Sequence, residues 1–585
     1  MNQPQTNLAI IGCGPRGLSA LEEFLVRLSK ENTTITPQIT IFEKAEALGC
    51  GYIYRQDQPD TNWLNISERA LTIEARPEIN VGNLNIVSFP SYHDWTGKTK
   101  DLILNNDHEV FPKRSEIGKY LSERYLSFAP QLIDKNWLKV IKQTVYTVEF
   151  VEEHFKITTR NNAIYKSDEV LLTIGHQDTY YPAQIKEWIT FAEKHNSLKL
   201  YTDTYPIAHV LNTNFKTEAH KVGIRGFGLA MIDLVRALCE ANGGSFIITN
   251  HETHSMRYIK GHTPLQIVPF SLDGLPMASK PLNSKIDAIF TPTNARLLSF
   301  ESQLKQVSNQ ANYNQGNQFL IEAMATITAQ HYSELKNKAY SHALNVAGLK
   351  KVIVSYLKED NFTHDLILSN NNAPEVIMQS FINMATGSQP ISLDYFLGQM
   401  WRHCEPTLYK TMSHSNLSDE TLKTVVDLDE RMKRYAFGPP IESLQQLLAL
   451  TLEGTLNLNY INNPDISLTA KGWHLIKDQQ QVTVNIMVNS VLDSPELLQV
   501  STPLIKNLLK DKVIKPVHTA LGVKTKNDGI VVSKYVNNTI NLALLGRLAK
   551  GSVVGVDAIL ECFGTRIKDW AEAAVNRYRK RLKTI

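Results

Sequence analysis

The stretch Gly12-Cys13-Gly14-Pro15-Arg16-Gly17 constrains the fold more than any other part of the chain. It follows a short apolar run, Leu8 to Ile11, that reads as a buried parallel strand. It precedes Leu18, Leu21, Leu25 and Leu28, whose spacing is that of one helix face. Gln38 to Phe42 then restores a strand. In such a strand–turn–helix–strand unit each glycine has a task. Gly12 allows the tight turn, Gly14 lets a pyrophosphate approach the backbone, and Gly17 lets helix and strand pack closely. Pro15 suits the first helical turn, where its missing N–H costs nothing. With Arg16, it opens a helix whose free N–H groups and positive dipole end favour phosphate. Glu43 ends the second strand, where a carboxylate accepts hydrogen bonds from ribose hydroxyls. Its distance from Gly17 is longer than usual, which a long helix and loop from Arg16 to Pro37 accommodates. Strand, turn, helix, second strand and carboxylate agree on dinucleotide binding over a glycine turn that merely packs.

A second unit of the same kind begins at Lys221. Val222 and Ile224 alternate, Gly226-Phe-Gly228-Leu-Ala-Met231 forms the turn, and a helix runs from Leu229 to Ala241 with Asp233 inside it. Gly243-Gly244 ends that helix, and Ser245 to Thr249 reads as the next strand. Two departures weaken this fingerprint. Met231 stands where a small residue normally permits close packing, and the following strand ends at Asn250 instead of an acid. The missing carboxylate speaks against NAD. Arg257 and Lys260 are the basic residues that would meet the 2′-phosphate of NADPH. A relic fold that only packs is the competing reading.

The 585 residues predict several domains, and 43% apolar with 20% charged residues is ordinary globular composition. A net charge of +3 gives no reason to expect nucleic acid or an anionic membrane as partner. Cys13, Cys50, Cys239, Cys404 and Cys562 include no Cys-x-x-Cys pair, which removes thioredoxin-type redox chemistry and fits a reducing compartment. The first seven residues lack the pattern of a signal peptide, and no apolar run reaches membrane-spanning length, so a cytoplasmic location is expected. His251-Glu-Thr-His254 is not a zinc motif and has no third ligand in sight, so no metal site is expected. The basic run from Arg577 to Lys583 reads as a solvated helix face. Residues 291 to 460 are mostly helical in pattern, and the end of the chain returns to mixed strand and helix. The expected fold is α/β, with two Rossmann-like dinucleotide-binding domains and a helical insertion. The divisions are 1–190 and 191–290 for the two nucleotide domains, 291–470 for the insertion, and 471–585 for a segment completing the first.

Several stretches in series resemble the bacterial FAD/NAD(P)-binding flavoproteins related to N-hydroxylating flavin monooxygenases. They are the first glycine motif, Gly49-Cys-Gly-Tyr-Ile-Tyr54 with Trp63-Leu-Asn-Ile66, Phe111-Pro-Lys-Arg114 with Gly118-Lys-Tyr-Leu121, Thr173-Ile-Gly-His176, Gly226-x-Gly228, and Phe437-Gly-Pro-Pro440. The resemblance implies FAD at the first unit and NADPH at the second. It brings Arg114, Gly175, Gly546 and Gly551 into the set expected near cofactor, with Arg114 equally readable as a surface ion pair and His176 as structural. Tyr52, Tyr54 and Trp63 would line the flavin or pack the core. The implied activity is hydroxylation of the amino group of an amino-acid-like substrate, with an aspartate-like compound as the finer expectation. Arg402 and Arg434 are candidates to hold its carboxylates, and no residue stands out as catalytic. A flavin oxidase or reductase without oxygen insertion, and a non-catalytic flavin-binding scaffold, remain open alternatives.

Overall fold

The structure is a computed structural model describing residues 7–31, 37–104, 107–213, 215, 218–534 and 540–584. The start of the chain and residues 32–36 of the first long loop lie outside the described residues. The first unit opens with β1 (Asn7–Ile11), the helix Pro15–Ser29 and β2 (Gln38–Phe42), which contain the apolar run, the helical stripe and the second strand expected. A hairpin of β3 (Ile79–Val81) and β4 (Leu84–Ile86), the helix Arg114–Leu126 and β5 (Leu138–Ile141) follow. An antiparallel sheet of β6 (Val145–Val151), β7 (His154–Thr159) and β8 (Ile164–Ser167) then leads into β9 (Glu169–Leu172).

The second unit has β10 (Lys199–Tyr201), β11 (His220–Arg225), the helix Leu229–Ala241, a hairpin of β12 (Ser245–Asn250) with β13 (Ser255–Ile259), and β14 (Leu265–Phe270). The chain then enters the insertion, which is helical from Asn294 to Leu452. It comes back through another antiparallel trio, β15 (Asp465–Thr469), β16 (Gly472–Lys477) and β17 (Gln480–Val484), into β18 (Ile486–Asn489). Finally β19 (Leu542–Leu544) and the helix Thr565–Thr584 complete the first unit.

The first sheet has the order β19-β9-β1-β2-β5 and the second β10-β18-β11-β14, with parallel pairing throughout. Both faces of the first sheet are covered, so its strands are continuously apolar. Leu8, Ile10, Ile41 and Leu171 face the helices Pro15–Ser29, Arg114–Leu126 and Thr565–Thr584, while Ala9, Ile11, Phe42, Val170 and Leu172 face β6, β7 and the helix Pro503–Lys510. In the second sheet Val222, Ile224, Ile267, Ile486 and Val488 share one core with the helical insertion. The insertion is therefore packed into the second unit instead of standing apart. Its helices are capped in the expected way: the Ser392 and Ser418 side chains accept from Tyr395 N–H and Thr421 N–H.

Two expectations change. β18 belongs to the second sheet, so the chain crosses back to the first unit after Asn489 and not at residue 471. The strand from Ser245 pairs with β13 alone, and the parallel neighbours of β11 are β18 and β14. The C-terminal helix is also less solvated than its charge suggests. Arg577 pairs with Glu169 at 2.6 Å and Asp528 at 3.1 Å, and Arg579 with Glu31 at 2.6 Å, tying that helix to the sheet and to the first helix's end.

Candidate functional site

At the carboxyl ends of β1 and β2 the first glycine turn is held by hydrogen bonds along its length. Gly12 N–H donates to Phe42 O at 2.9 Å, and Leu18 N–H to Gly14 O at 2.9 Å. Gly12 has φ +97°, and a Cβ there would lie 2.5 Å from Thr173 O. A Cβ on Gly17 would lie 2.3 Å from Gly12 O, so both glycines are required by the fold itself. Gly14 differs: its Cβ would meet Gly51 Cα at 3.4 Å, an ordinary contact, because the Gly49–Gly51 loop folds down on the turn. Glu43 spans the turn, accepting from Cys13 N–H and Ala45 N–H, each at 2.9 Å. One backbone donor per oxygen leaves each oxygen a further lone pair for a ribose hydroxyl. The helix starts at Pro15 with no side-chain cap on its first N–H groups. Those donors and the carboxylate fit the two ends of an adenosine diphosphate.

The rim of this site is assembled from distant segments. Arg16 Nη2 donates to Val556 O at 2.7 Å, and its side chain passes the missing Cβ of Gly546, where φ is +121°. Thr173 Oγ1 donates to Gly12 O at 2.6 Å. Gly175 has φ +62° and no atom within 4 Å of where a Cβ would be, so the strand end faces open space. Beside it His176 Nδ1 accepts from Arg547 Nη1 at 2.8 Å. Enclosure by protein and the Arg547 charge push this imidazole down to about 4, so it stays neutral at pH 7. Gly551 behaves otherwise: with φ +101°, its missing Cβ makes room for Leu521 and Val517. That close approach requires glycine there.

Arg114 is neither a surface ion pair nor a free cation. It is mostly buried, 3.4 Å from Asp233 of the second unit's helix and 5.4 Å from the centre of the Tyr205 ring. Burial would lower its pKa, but Tyr205 and Asp233 hold it above the usual range. Tyr205 OH donates to Asp233 at 2.7 Å, and Arg236 lies 3.8 Å over the ring of Trp63 while donating to Thr61 O, Gln446 and Ser443. Trp63 thus belongs to this junction between the units, and half-buried Tyr54 packs against the first core. Tyr52, half exposed, lines a small cleft with Arg55, Asn62, Arg114 and Tyr205. The second turn begins at the carboxyl end of β11, with Gly226 at φ +121° and Gly228 capping the helix. Met231 is fully buried in the core shared with the insertion.

The insertion reaches the first unit through buried charge. Lys433 pairs with Asp557 and Glu430, each at 2.6 Å, and Asp557 with Arg547 at 3.1 Å, continuing to His176. At the turn expected to matter, Asn65 Nδ2 donates to Phe437 O at 3.1 Å and Lys280 Nζ to Ala436 O at 3.0 Å. Beyond Lys280 stands Asp287, bonded to Arg402, to Arg69 at 2.9 Å and to His403 at 3.1 Å. Burial and the Arg402 charge lower the Lys280 ammonium, while burial and Asp429 raise the Glu405 carboxyl, whose Oε1 has no hydrogen-bond partner. Arg402 is therefore neutralised by Asp287, and Arg434 Nε is committed to Pro276 O at 3.0 Å. Neither is a free carboxylate clamp. Nothing local marked Lys280, in the loop after β14, or Glu405, in the helix Leu393–Met412, because single charges in such settings look solvated. His254 is 2.6 Å from Glu442, and among the described residues no cluster of three ligating side chains could hold a metal ion. No helix of the described residues is long and apolar enough to cross a membrane.

Residues 9–177 match the model of the FAD-NAD(P)-binding family. The first unit is thus an FAD/NAD(P)-binding domain. An L-aspartate N-monooxygenase (nitrosuccinate-forming) of Streptomyces davaonensis is 23% identical over 272 residues, which span 42% of this chain and 40% of that protein. A protein of the same name from Streptomyces cremeus is 22% identical over 50% of this chain and 46% of its own length, so the match spans less than half of both relatives. Nitrosuccinic acid synthase npaA of Aspergillus oryzae is 21% identical over 90% of this chain and 85% of that one. An open crystal structure of cyclohexanone monooxygenase aligns over 99% of this chain and 88% of that chain, with 12% identity and a TM-score of 0.45.

Proposed function

We propose that this chain is an FAD- and NAD(P)H-dependent monooxygenase that hydroxylates the amino group of a small amino-acid-like substrate, aspartate-like in the finest form of the reading. The observation that carries it is the pairing of two glycine-turn units in one chain, joined through Arg114 and Asp233 beside a cleft. The names of the three relatives supply the amine and the amino acid. Bound flavin, once reduced by the nicotinamide coenzyme, supplies the oxygen chemistry. The chain's own residues bind and orient. Glu43 holds ribose hydroxyls, the helix beginning at Pro15 faces the pyrophosphate, and Gly175 with Gly546 leaves room at the ring end.

The test is to add NADH or NADPH to the yellow protein without oxygen, then admit oxygen with aspartate and related amino acids. Bleaching followed by an N-hydroxylated product supports the reading. Bleaching that ends in hydrogen peroxide with every amine tried replaces it with an oxidase, and absence of bleaching replaces it with a scaffold.

A further inference from the structure

The two glycine turns can be superimposed bond by bond. Gly12 N–H donates to Phe42 O at 2.9 Å, and Gly226 N–H to Phe270 O at 2.7 Å. Thr173 N–H donates to Ile11 O at 2.9 Å, and Ser490 N–H to Arg225 O at 2.7 Å. Ile11 pairs with Phe42, as Arg225 pairs with Phe270. The residue in the second unit that corresponds to Glu43 is therefore Ser271, directly after Phe270. The hairpin of β12 and β13, with Asn250, Arg257 and Lys260, is an excursion outside the parallel sheet. Asn250 there serves its own turn, accepting from Glu252 N–H at 2.8 Å and Thr253 N–H at 3.1 Å, and Lys260 faces Glu453 at 3.6 Å.

The turn after β14 is firmly placed. Ser271 N–H donates to Ile461 O and Asn463 N–H to Ser271 O, both at 2.8 Å. Ser271 Oγ accepts from Gly274 N–H at 3.0 Å, and Asp273 Oδ1 accepts from Leu275 N–H at 3.1 Å. This repeats the way Glu43 Oε1 accepts from the backbone two residues on. Asp273 is exposed, and among the described residues no cation pairs with it. The nearby arginine, Arg225, reaches the other way, to Gln184 at 3.1 Å and Asn489 at 2.9 Å.

We propose that Asp273, on the Ser271–Gly274 turn, reads the 2′ position of the coenzyme's adenosine ribose and disfavours a 2′-phosphate. This rests on the second unit being the nicotinamide site. A carboxylate accepts from a 2′-hydroxyl and repels a phosphate in the same place. The measurement is equilibrium binding of NAD⁺ and NADP⁺ to the FAD-loaded protein, followed by quenching of intrinsic fluorescence, with flavin content as the check on folding. Asp273→Asn raises affinity for NADP⁺ relative to NAD⁺ about tenfold, and Asp273→Arg raises it further. Arg257→Ala combined with Lys260→Ala leaves the ratio within about twofold. The proposal is overturned if both Asp273 variants leave the ratio unchanged, or if the hairpin variant moves it instead. Should neither nucleotide bind the wild type or any variant at about millimolar concentration, the nicotinamide reading of the second unit fails, and this assignment fails with it.

Discussion

The two glycine turns of this molecule have the same bonds and different tolerances. In the first, the Cβ that Gly12 lacks would sit 2.5 Å from a backbone oxygen, and in the second the corresponding Gly226 position clears its nearest atom, Ser490 C, by 3.1 Å. The first helical bond after the turn is 2.9 Å from Leu18 N–H to Gly14 O, against 3.2 Å from Ile232 N–H to Gly228 O. The second turn is the looser one, and Met231 sits fully buried where Gly17 allows no side chain at all. A fingerprint glycine is thus a packing requirement first, and at Met231 the second unit meets it with a flexible buried thioether instead.

Exchanging residues between the turns tests that contrast. Copying the second turn into the first, Gly17→Met, gives the largest effect. No side chain fits 2.3 Å from Gly12 O, so the expected loss exceeds about 4–5 kcal/mol, and the protein is recovered without flavin, if at all. Soluble, yellow Gly17→Met protein would show that the first turn is as yielding as the second. Met231→Ala comes next, costing about 2–5 kcal/mol because it empties a fully buried site. Chemical denaturation reads the loss, while flavin content stays at the wild-type level. A smaller cost, under about 1 kcal/mol, would mean that the helix Leu229–Ala241 closes onto its strand when the thioether is removed. The mildest change is Glu43→Gln, which keeps an acceptor and removes its charge. FAD affinity should fall about tenfold, the equivalent of about 1.4 kcal/mol, by titration of the apoprotein. An unchanged affinity would mean that Glu43 serves only Cys13 N–H and Ala45 N–H.

The first unit was legible nearly to the residue because its signals are local: an apolar strand, three glycines, a helical stripe and a terminal carboxylate lie within 43 residues. The second was legible as a turn and a helix but not as a sheet. Ser245 to Asn250 is a strand, yet which strand it pairs with depends on the rest of the fold. One parallel neighbour of β11 carries Pro269, which argues against a central strand, and β14 is indeed the sheet's edge. The carboxylate argument looked at Asn250, whereas the residue that follows the paired strand in the place of Glu43 is Ser271. Nothing local marks Lys280 or Glu405, because their burial comes from segments far apart in the chain. Arg402 and Arg434 stood out by type, and the structure gives both of them other partners.

The arrival of β19 beside β9 has a consequence for synthesis. Val170 to Leu172 pair with Leu542 to Leu544, so an inner strand of the first sheet keeps an open edge until some 370 further residues have left the ribosome. At roughly 5–20 residues per second, that is an exposure of about 20–75 seconds for a flat apolar strand. Trp570 and Tyr578, which stand 6.3 Å and 6.1 Å from Phe24, arrive later still. The second sheet waits as well, since the inner strand β11 has one edge open until β18 arrives about 260 residues later. During translation both sheets therefore hold an open strand edge, and the first, although it begins earlier, is completed last.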